Sequence, residues 1–367
     1  GADVVKVERP GRGDDTRQWG PPWLGSESAY FLSTNRNKRS VTIDLACDEG
    51  KDLVRELAAK ADVLVENFRV DTLKRLDLDP EDLMQRNPRL IVCSISAFGP
   101  TGSRAHEPGY DAMIQASGGL MSITGPADGG PQKVGVAIAD IMAGMYAANA
   151  ILAALHARER SGKGQRIDVP LYDSQVAWLA NQNMNYLVGG VAPGRMGTAH
   201  PNLVPYQAFA TRDGDLMLAI GNDRQFADLL DCIGRPDLVS DPRYSNNAAR
   251  IAHREELVAL IAECFCQETT AHWLGELARR RIPAGPINDI AEVLGGEFAI
   301  DRGIVRSVRN AAGDDVPIVS NPVDFSATPA IYERAPPLLG EHTGEVLRDW
   351  LGYSAEAIDA LRNKAAI

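Results

Sequence analysis

Apolar and polar positions along the first half of the chain switch repeatedly between a period of two and a period near 3.6. Val4–Glu8 and Ser40–Leu45 alternate as strands do. Between Lys51 and Lys60 the spacing of Leu53, Leu57 and Ala58 makes a helical stripe, with Asp48 placed to cap it. Asp62–Phe68 is a short apolar strand, Asp71–Leu76 and Asp79–Arg86 are short helices, and Leu90–Ser96 is the next strand. Strands that are apolar along their length and alternate with helices predict an open, mostly parallel sheet covered on both faces, hence an α/β fold.

A glycine-rich passage follows, with Phe98–Gly102, Pro108–Asp111 and Ser117–Gly119 as its turns. The pattern then predicts a helix from about Ile141 to Arg160, full of Ala and Gly. Gly162–Gln165 ends it and leads into a strand at Arg166–Val169. Periodicity disappears from Gly189 to Pro205, which reads as a linker or active-site loop. It restarts with strands Gln207–Ala210 and Leu216–Ile220 around Asp213-Gly214, then helices at Asp223–Ile233, Arg254–Gln267 and Thr270–Arg280. The expected organisation is a large domain of residues 1–188 completed by 326–367, a loop at 189–205, a smaller α+β domain at 206–310 and a return linker at 311–325. Thr343–Asn363 reads as a closing helical tail.

Composition narrows the possible functions. A chain of 367 residues suits two domains, and 44% hydrophobic with 24% charged residues is a globular balance. The apolar stretch around Ile138–Leu155 is interrupted by Asp140, so the sequence predicts a soluble protein and no membrane partner. A net charge of −11 argues against nucleic acid as a partner, although a local basic pocket can still hold a small anion. Five scattered cysteines offer no metal spacing and fit a reducing compartment. The expected location is the cytoplasm, or the mitochondrial matrix in a eukaryote. No G-x-G-x-x-G, P-loop or G-x-S-x-G string occurs, which argues against dinucleotide, nucleoside triphosphate and α/β-hydrolase chemistry.

Asp140 stands alone between the apolar run Gly135–Ala139 and a helix start. By itself it reads as a helix N-cap, a position where N–H groups would keep a carboxylate ionised and could stabilise an oxyanion beside it. The surrounding strings carry more. GADVVKVERP at Gly1–Pro10, NRNKRS at Asn35–Ser40, ENF at Glu66–Phe68, PGYD at Pro108–Asp111 and Gly135–Gly144 occur in an order that resembles class III coenzyme A transferases. ALHARERSGKGQ at Ala154–Gln165, IPAGPIN at Ile282–Asn288 and PPLLGEHT at Pro336–Thr343 extend the resemblance over essentially the whole chain.

The resemblance implies that Asp140 is the nucleophile. It also implies that coenzyme A lies against Arg9, Ile43, Asp44, Leu45, Ala46, Asn67, Phe68, Arg75, Pro108, Gly109, Tyr110 and Asp111. No cofactor is implied beyond acyl-CoA as substrate with a carboxylic acid as acceptor, and two chains are expected to interlock as a homodimer. Related racemases resemble the sequence but carry His where Tyr110 stands; tyrosine, ionising near pH ~10, is a poor base at neutral pH, which favours transfer. A non-catalytic acyl-CoA-binding protein is the other alternative. GTAH at Gly197–His200 followed by VPYQAF resembles the succinyl-CoA–glutarate transferase subgroup, so Arg195, Gly197 and His200 are expected near a short dicarboxylate. Members of the family carry roughly one further βα unit ahead of the segment matching Gly1. The chain is therefore expected to be a fragment with impaired activity.

Overall fold

Pairing among the early strands separates them into two parallel sheets where one was expected. The computed structural model describes all residues from Gly1 to Ile367. Strand β1 (Val4–Glu8) leads through helix α1 (Ala29–Thr34) to β2 (Lys38–Thr42), and the two pair in parallel from Val4↔Lys38 to Glu8↔Thr42. After helix α2 (Asp48–Lys60) come β3 (Val63–Glu66) and β4 (Ile91–Ser96). Helices α3 (Asp111–Ser117) and α4 (Ile138–Ser161) lead to β5 (Arg166–Pro170), and helix α5 (Leu171–Trp178) follows directly. The second parallel sheet has the order β3-β4-β5.

By compactness the chain forms two units. The first comprises residues 1–111, 139–174 and 291–367, and the second 112–138 and 175–290. The expected small domain of 206–310 therefore ends at Ile290, and residues 112–138 join it. The supposed return linker holds the strand Asp315–Val319, which pairs antiparallel with Val305–Arg309 from the end of the expected small domain, both inside the first unit.

In the first unit α2 buries Leu53 and Leu57 against Val41 and Ile43 of the β2 region and Val346, Leu347 and Ile358 of the chain's end. The C-terminal residues thus complete this core. Their helical tail is two helices, Thr343–Leu351 and Ala355–Asn363, broken at Gly352, whose φ of 75° ends the first. Cys47, not Asp48, caps α2: its Sγ accepts from Gly50 N at 3.4 Å, while Asp48 is the first helical residue. A buried charge network fixes the segment between β1 and α1. Arg17 pairs with Glu8 and Glu27, both at 2.8 Å, and Ser40 donates to Glu8 at 2.7 Å. Burial alone would raise the Glu8 pKa, but bonds from Arg17, Ser40 and the Asp14 N–H outweigh it and hold the carboxyl below its ordinary value.

Helix α4 departs most from expectation. It starts three residues earlier than its pattern suggests, and at 24 residues it is long and apolar enough to cross a membrane by length and composition. Its Ala139, Ala143, Ala147 and Ala154 are buried, yet Ile141, Met145 and Leu152 are exposed, and only 22% of its most apolar window is covered. In the second unit, β6 (Tyr206–Ala210), β7 (Asp215–Ala219) and β8 (Ala284–Pro286) form an antiparallel sheet. Its core includes Leu216, Leu218, Leu229, Leu257, Phe265 and Trp273, the last three from the predicted helical segments after Arg254.

Candidate active site

Asp140 is the third residue of α4, in the first helical turn and not at the cap. The capping role belongs to Asp111, whose Oδ1 accepts from Ala139 N at 2.7 Å across 28 positions of sequence. Ile138 N bonds to Val136 O at 2.9 Å. The Asp140 amide is among the first N–H groups of the helix, which have no intrahelical acceptor. A carboxylate therefore stands in the open N-terminal turn of a helix.

Its electrostatics reverse the expectation of a strongly ionised group. Solvent reaches Asp140, but the protein crowded around it, and then the like charge of Asp111, push its pKa up to about 6. These two effects outweigh the helix N-terminus. Tyr30 of α1 is also drawn in: burial first, then the charges of Asp140 and Asp111, raise its hydroxyl pKa. Trp19 meets the Tyr30 ring edge-on at 5.0 Å between centroids, and both rings are partly exposed. Sequence reasoning did not single out Trp19 or Tyr30, because nothing in their local pattern points to a carboxylate more than a hundred residues away.

The candidate coenzyme residues leave the carboxyl ends of parallel strands, where α/β sheets hold ligands. Arg9 follows β1 and Ile43–Ala46 follow β2, and Ile43 N bonds back to Glu8 O at 2.9 Å. Ile43 is buried in the core, and Leu45 packs against the same cluster, so neither offers its side chain freely. Asp44 turns the chain by accepting from Ala46 N at 2.9 Å, and Ala46 is exposed. Asn67 and Phe68 follow β3 and are exposed, as is Arg75, which bonds Thr72 Oγ1 at 3.0 Å. A cavity of about 270 Å³ opens here, lined among others by Phe68, Arg69, Lys74, Ser94, Pro100 and Arg166. It has room for a fragment of a large coenzyme. Pro108 and Tyr110 are exposed at the end of the loop after β4, Gly109 is half-buried, and Tyr110 at 72% has an open ring.

The remaining candidates lie in the second unit. Arg195 donates twice to the Gly129 carbonyl, from Nε at 3.1 Å and Nη2 at 2.8 Å, leaving Nη1 without a partner in the chain. Gly197, at φ 61°, bonds Gly125 O at 2.9 Å, so both residues tie their loop to residues 125–129. His200 accepts from Asn202 N on Nδ1 at 3.0 Å and stacks on Tyr206 at 5.0 Å. Burial, then the Arg254 charge, lower its pKa, and its ring is neutral at pH 7.

Comparison with known proteins adds the family. Residues 1–343 match the family model described as CoA-transferase family III. The chain is 47% identical over 355 residues to succinate–glutarate CoA-transferase of Agrobacterium fabrum, covering 95% of this chain and 89% of that protein. It is 40% identical over 367 residues to human succinyl-CoA:glutarate CoA-transferase, covering 100% of this chain and 84% of that one. A crystal structure of a CAIB/BAIF family protein from Brucella suis superposes with a TM-score of 0.83 at 45% identity, over 95% of this chain and 92% of that one.

Proposed function

The chain belongs to CoA-transferase family III, and on that premise we propose that it moves coenzyme A to a short dicarboxylate through covalent intermediates on Asp140. The observation that carries this reading is the placement of Asp140: a carboxylate with pKa near 6, in the first turn of α4 beside Asp111. At neutral pH it is ionised, and its raised basicity suits a nucleophile.

Asp140 attacks the thioester carbonyl of the donor. The C–S bond breaks, leaving an aspartyl–acyl anhydride and CoA thiolate. The thiolate attacks the aspartyl carbonyl and expels the donor acid, giving an enzyme-bound thioester. The acceptor carboxylate attacks that carbonyl in turn, and the thiolate resolves the second anhydride at the acceptor's acyl carbon, releasing new acyl-CoA and free Asp140. Each step exchanges acyl bonds between carboxylate and thiolate, so atoms and charge balance without a redox or metal group. The first-turn amides at the N-terminus of α4 are our candidates for stabilising the oxyanion of each addition.

The residues at the strand ends, Arg9, Ala46, Asn67, Phe68, Arg75 and Pro108–Asp111, are our candidates for holding the coenzyme. Arg195, through its free Nη1, and the Gly197–His200 segment are those for the distal carboxylate of the diacid. The names of the two transferases above favour succinate and glutarate as the acids. We further infer a homodimer, supported by the uncovered apolar face of α4. Tyr110, in place of a histidine, supports transfer over α-proton exchange.

The test offers the purified protein succinyl-CoA and other acyl-CoAs with a panel of free mono- and dicarboxylic acids, and follows new thioesters by mass. Glutaryl-CoA from succinyl-CoA and glutarate is expected. Asp140→Ala should bind acyl-CoA yet lose transfer by about 10³-fold or more, and hydroxylamine should trap the wild-type intermediate as a hydroxamate on the Asp140 peptide. Deuterium uptake at the α-carbon without thioester exchange would favour the racemase instead.

A further inference from the structure

The loop from Ala97 to Tyr110 connects β4 to Asp111, and three sets of contacts determine its course. At its root Tyr172 N bonds Ala97 O at 3.0 Å and Gly99 N bonds Ser96 Oγ at 3.1 Å. Gly99 has φ 80°, and an added Cβ would sit 3.0 Å from Pro170, so the chain leaves the strand by one narrow route. In its middle Arg104 folds back over that root. Its guanidinium carbon lies 3.7 Å from the Phe98 ring centroid and 5.7 Å from that of Tyr172, and Nε donates to Glu107 Oε2 at 2.8 Å. The next residue, Ala105, is buried. At its far end Asp111 bonds Ala139 N, next to Asp140.

The energies separate a role in folding from a role in placement. A half-exposed cation over an aromatic face contributes about 0.5–1 kcal/mol, and an exposed ion pair such as Arg104–Glu107 about as much or less. Neither is large beside the stability of a domain. Catalysis is more demanding, because a displacement of ~1 Å at a reacting group can cost ~10²-fold.

We propose that Arg104 is a positioning residue for CoA transfer: held between Phe98 and Glu107, it fixes the loop that sets Asp111 against the start of α4 beside Asp140. The proposal rests on Asp140 being the nucleophile. The groups facing Asp140 are Asp111, from this loop, and Tyr30, from α1. Loosening the loop draws the Asp111 charge away and admits water, and both changes lower the pKa of Asp140.

The experiment measures transfer from succinyl-CoA to glutarate against pH for Arg104→Ala, Arg104→Lys and Glu107→Gln in the full chain, with Asp140→Ala as control. Arg104→Ala is expected to lower kcat about 10-fold, with KM for succinyl-CoA within about twofold, and to move the acidic limb to lower pH. Arg104→Lys, which keeps the cation but loses the planar fork, should recover part of both, and Glu107→Gln should show a smaller shift of the same sign. In an Asp111→Asn background Arg104→Ala should no longer move the limb, because the charge it acts through is gone. Arg104 loses this role if the limb stays put in all three single variants, if only KM rises, as for a phosphate contact, or if the shift persists without Asp111. Survival of activity in Asp140→Ala would instead overturn the mechanism on which the proposal stands.

Discussion

Two carboxyl groups with different work stand at the start of α4. Asp111 spends one oxygen on the Ala139 amide and lends its charge to Asp140, which stands in the first turn of the helix. Taken alone, Asp140 reads in the sequence as a helix N-cap, and only the neighbouring strings, which point to one family, single it out. Its partner was not legible in that role: Asp111 stood among the coenzyme residues, and no local period links it to a helix start 28 positions on. The pair gives a sharp test. With Asp140 as the nucleophile we propose, kcat/KM should fall as pH drops through about 6. Asp111→Asn keeps an oxygen for the Ala139 amide and removes the charge. The pKa of Asp140 should then fall, because a like charge no longer opposes ionisation. The acidic limb should move to lower pH yet stop short of the ordinary 3.8, since burial, the larger cause, persists. A pH–rate series on the two proteins decides it; an unmoved limb would show that the charge of Asp111 is not felt.

Elements with one clean face were legible, and those whose apolar residues face two ways were not. Helix α2 and the helix Thr270–Arg279 each bury a single stripe, and both were predicted to within a few residues. Helix α1 is six residues long and buries only Phe31, too little to register as a period. Helix α5 and the following Asn181–Gly189 are weakly amphipathic, so one remained unassigned and the other blurred into the loop after it. The turn from α4 into β5 was read correctly from its glycines, and the structure separates their two roles. Gly162 has φ 71° in open space, whereas a Cβ at Gly164 would lie 1.9 Å from the Leu90 carbonyl oxygen. Gly162→Ala should therefore cost only the strain of a left-handed residue, about 1–2 kcal/mol. Gly164→Ala must push β4 and the turn apart, and should cost about 3 kcal/mol or more. Urea denaturation of the two variants should rank them in that order, and equal losses would mean that the backbone at Gly164 relaxes freely.

At the scale of the whole molecule the informative feature is apolar surface that a single chain leaves uncovered. Helix α4 buries alanines on one side and presents Ile141, Met145 and Leu152 on another, at 50%, 56% and 64% exposure. Positions 141, 145 and 152 share one helical face, which makes them a stripe and not scattered residues. A helix apolar on both sides is covered on both sides when the protein is at rest in water. A second copy is the occupant we propose, and it requires no partner beyond the chain itself. Sedimentation should accordingly give a species of twice the chain mass. Leu152→Lys places a charge at the far end of the stripe, about three turns from Asp140, and should produce monomer or sharply raise the concentration below which the dimer dissociates. If the two chains are interlocked, mixing tagged and untagged dimers under native conditions should yield no hybrid over hours, because exchange must pass through unfolding, while refolding the mixture from denaturant should yield hybrids freely. Rapid native exchange would leave a dimer but remove the interlocking. A monodisperse monomer whose stripe binds lipid vesicles would replace the second copy with a membrane, and the length and apolarity of α4 make that arm of the experiment necessary.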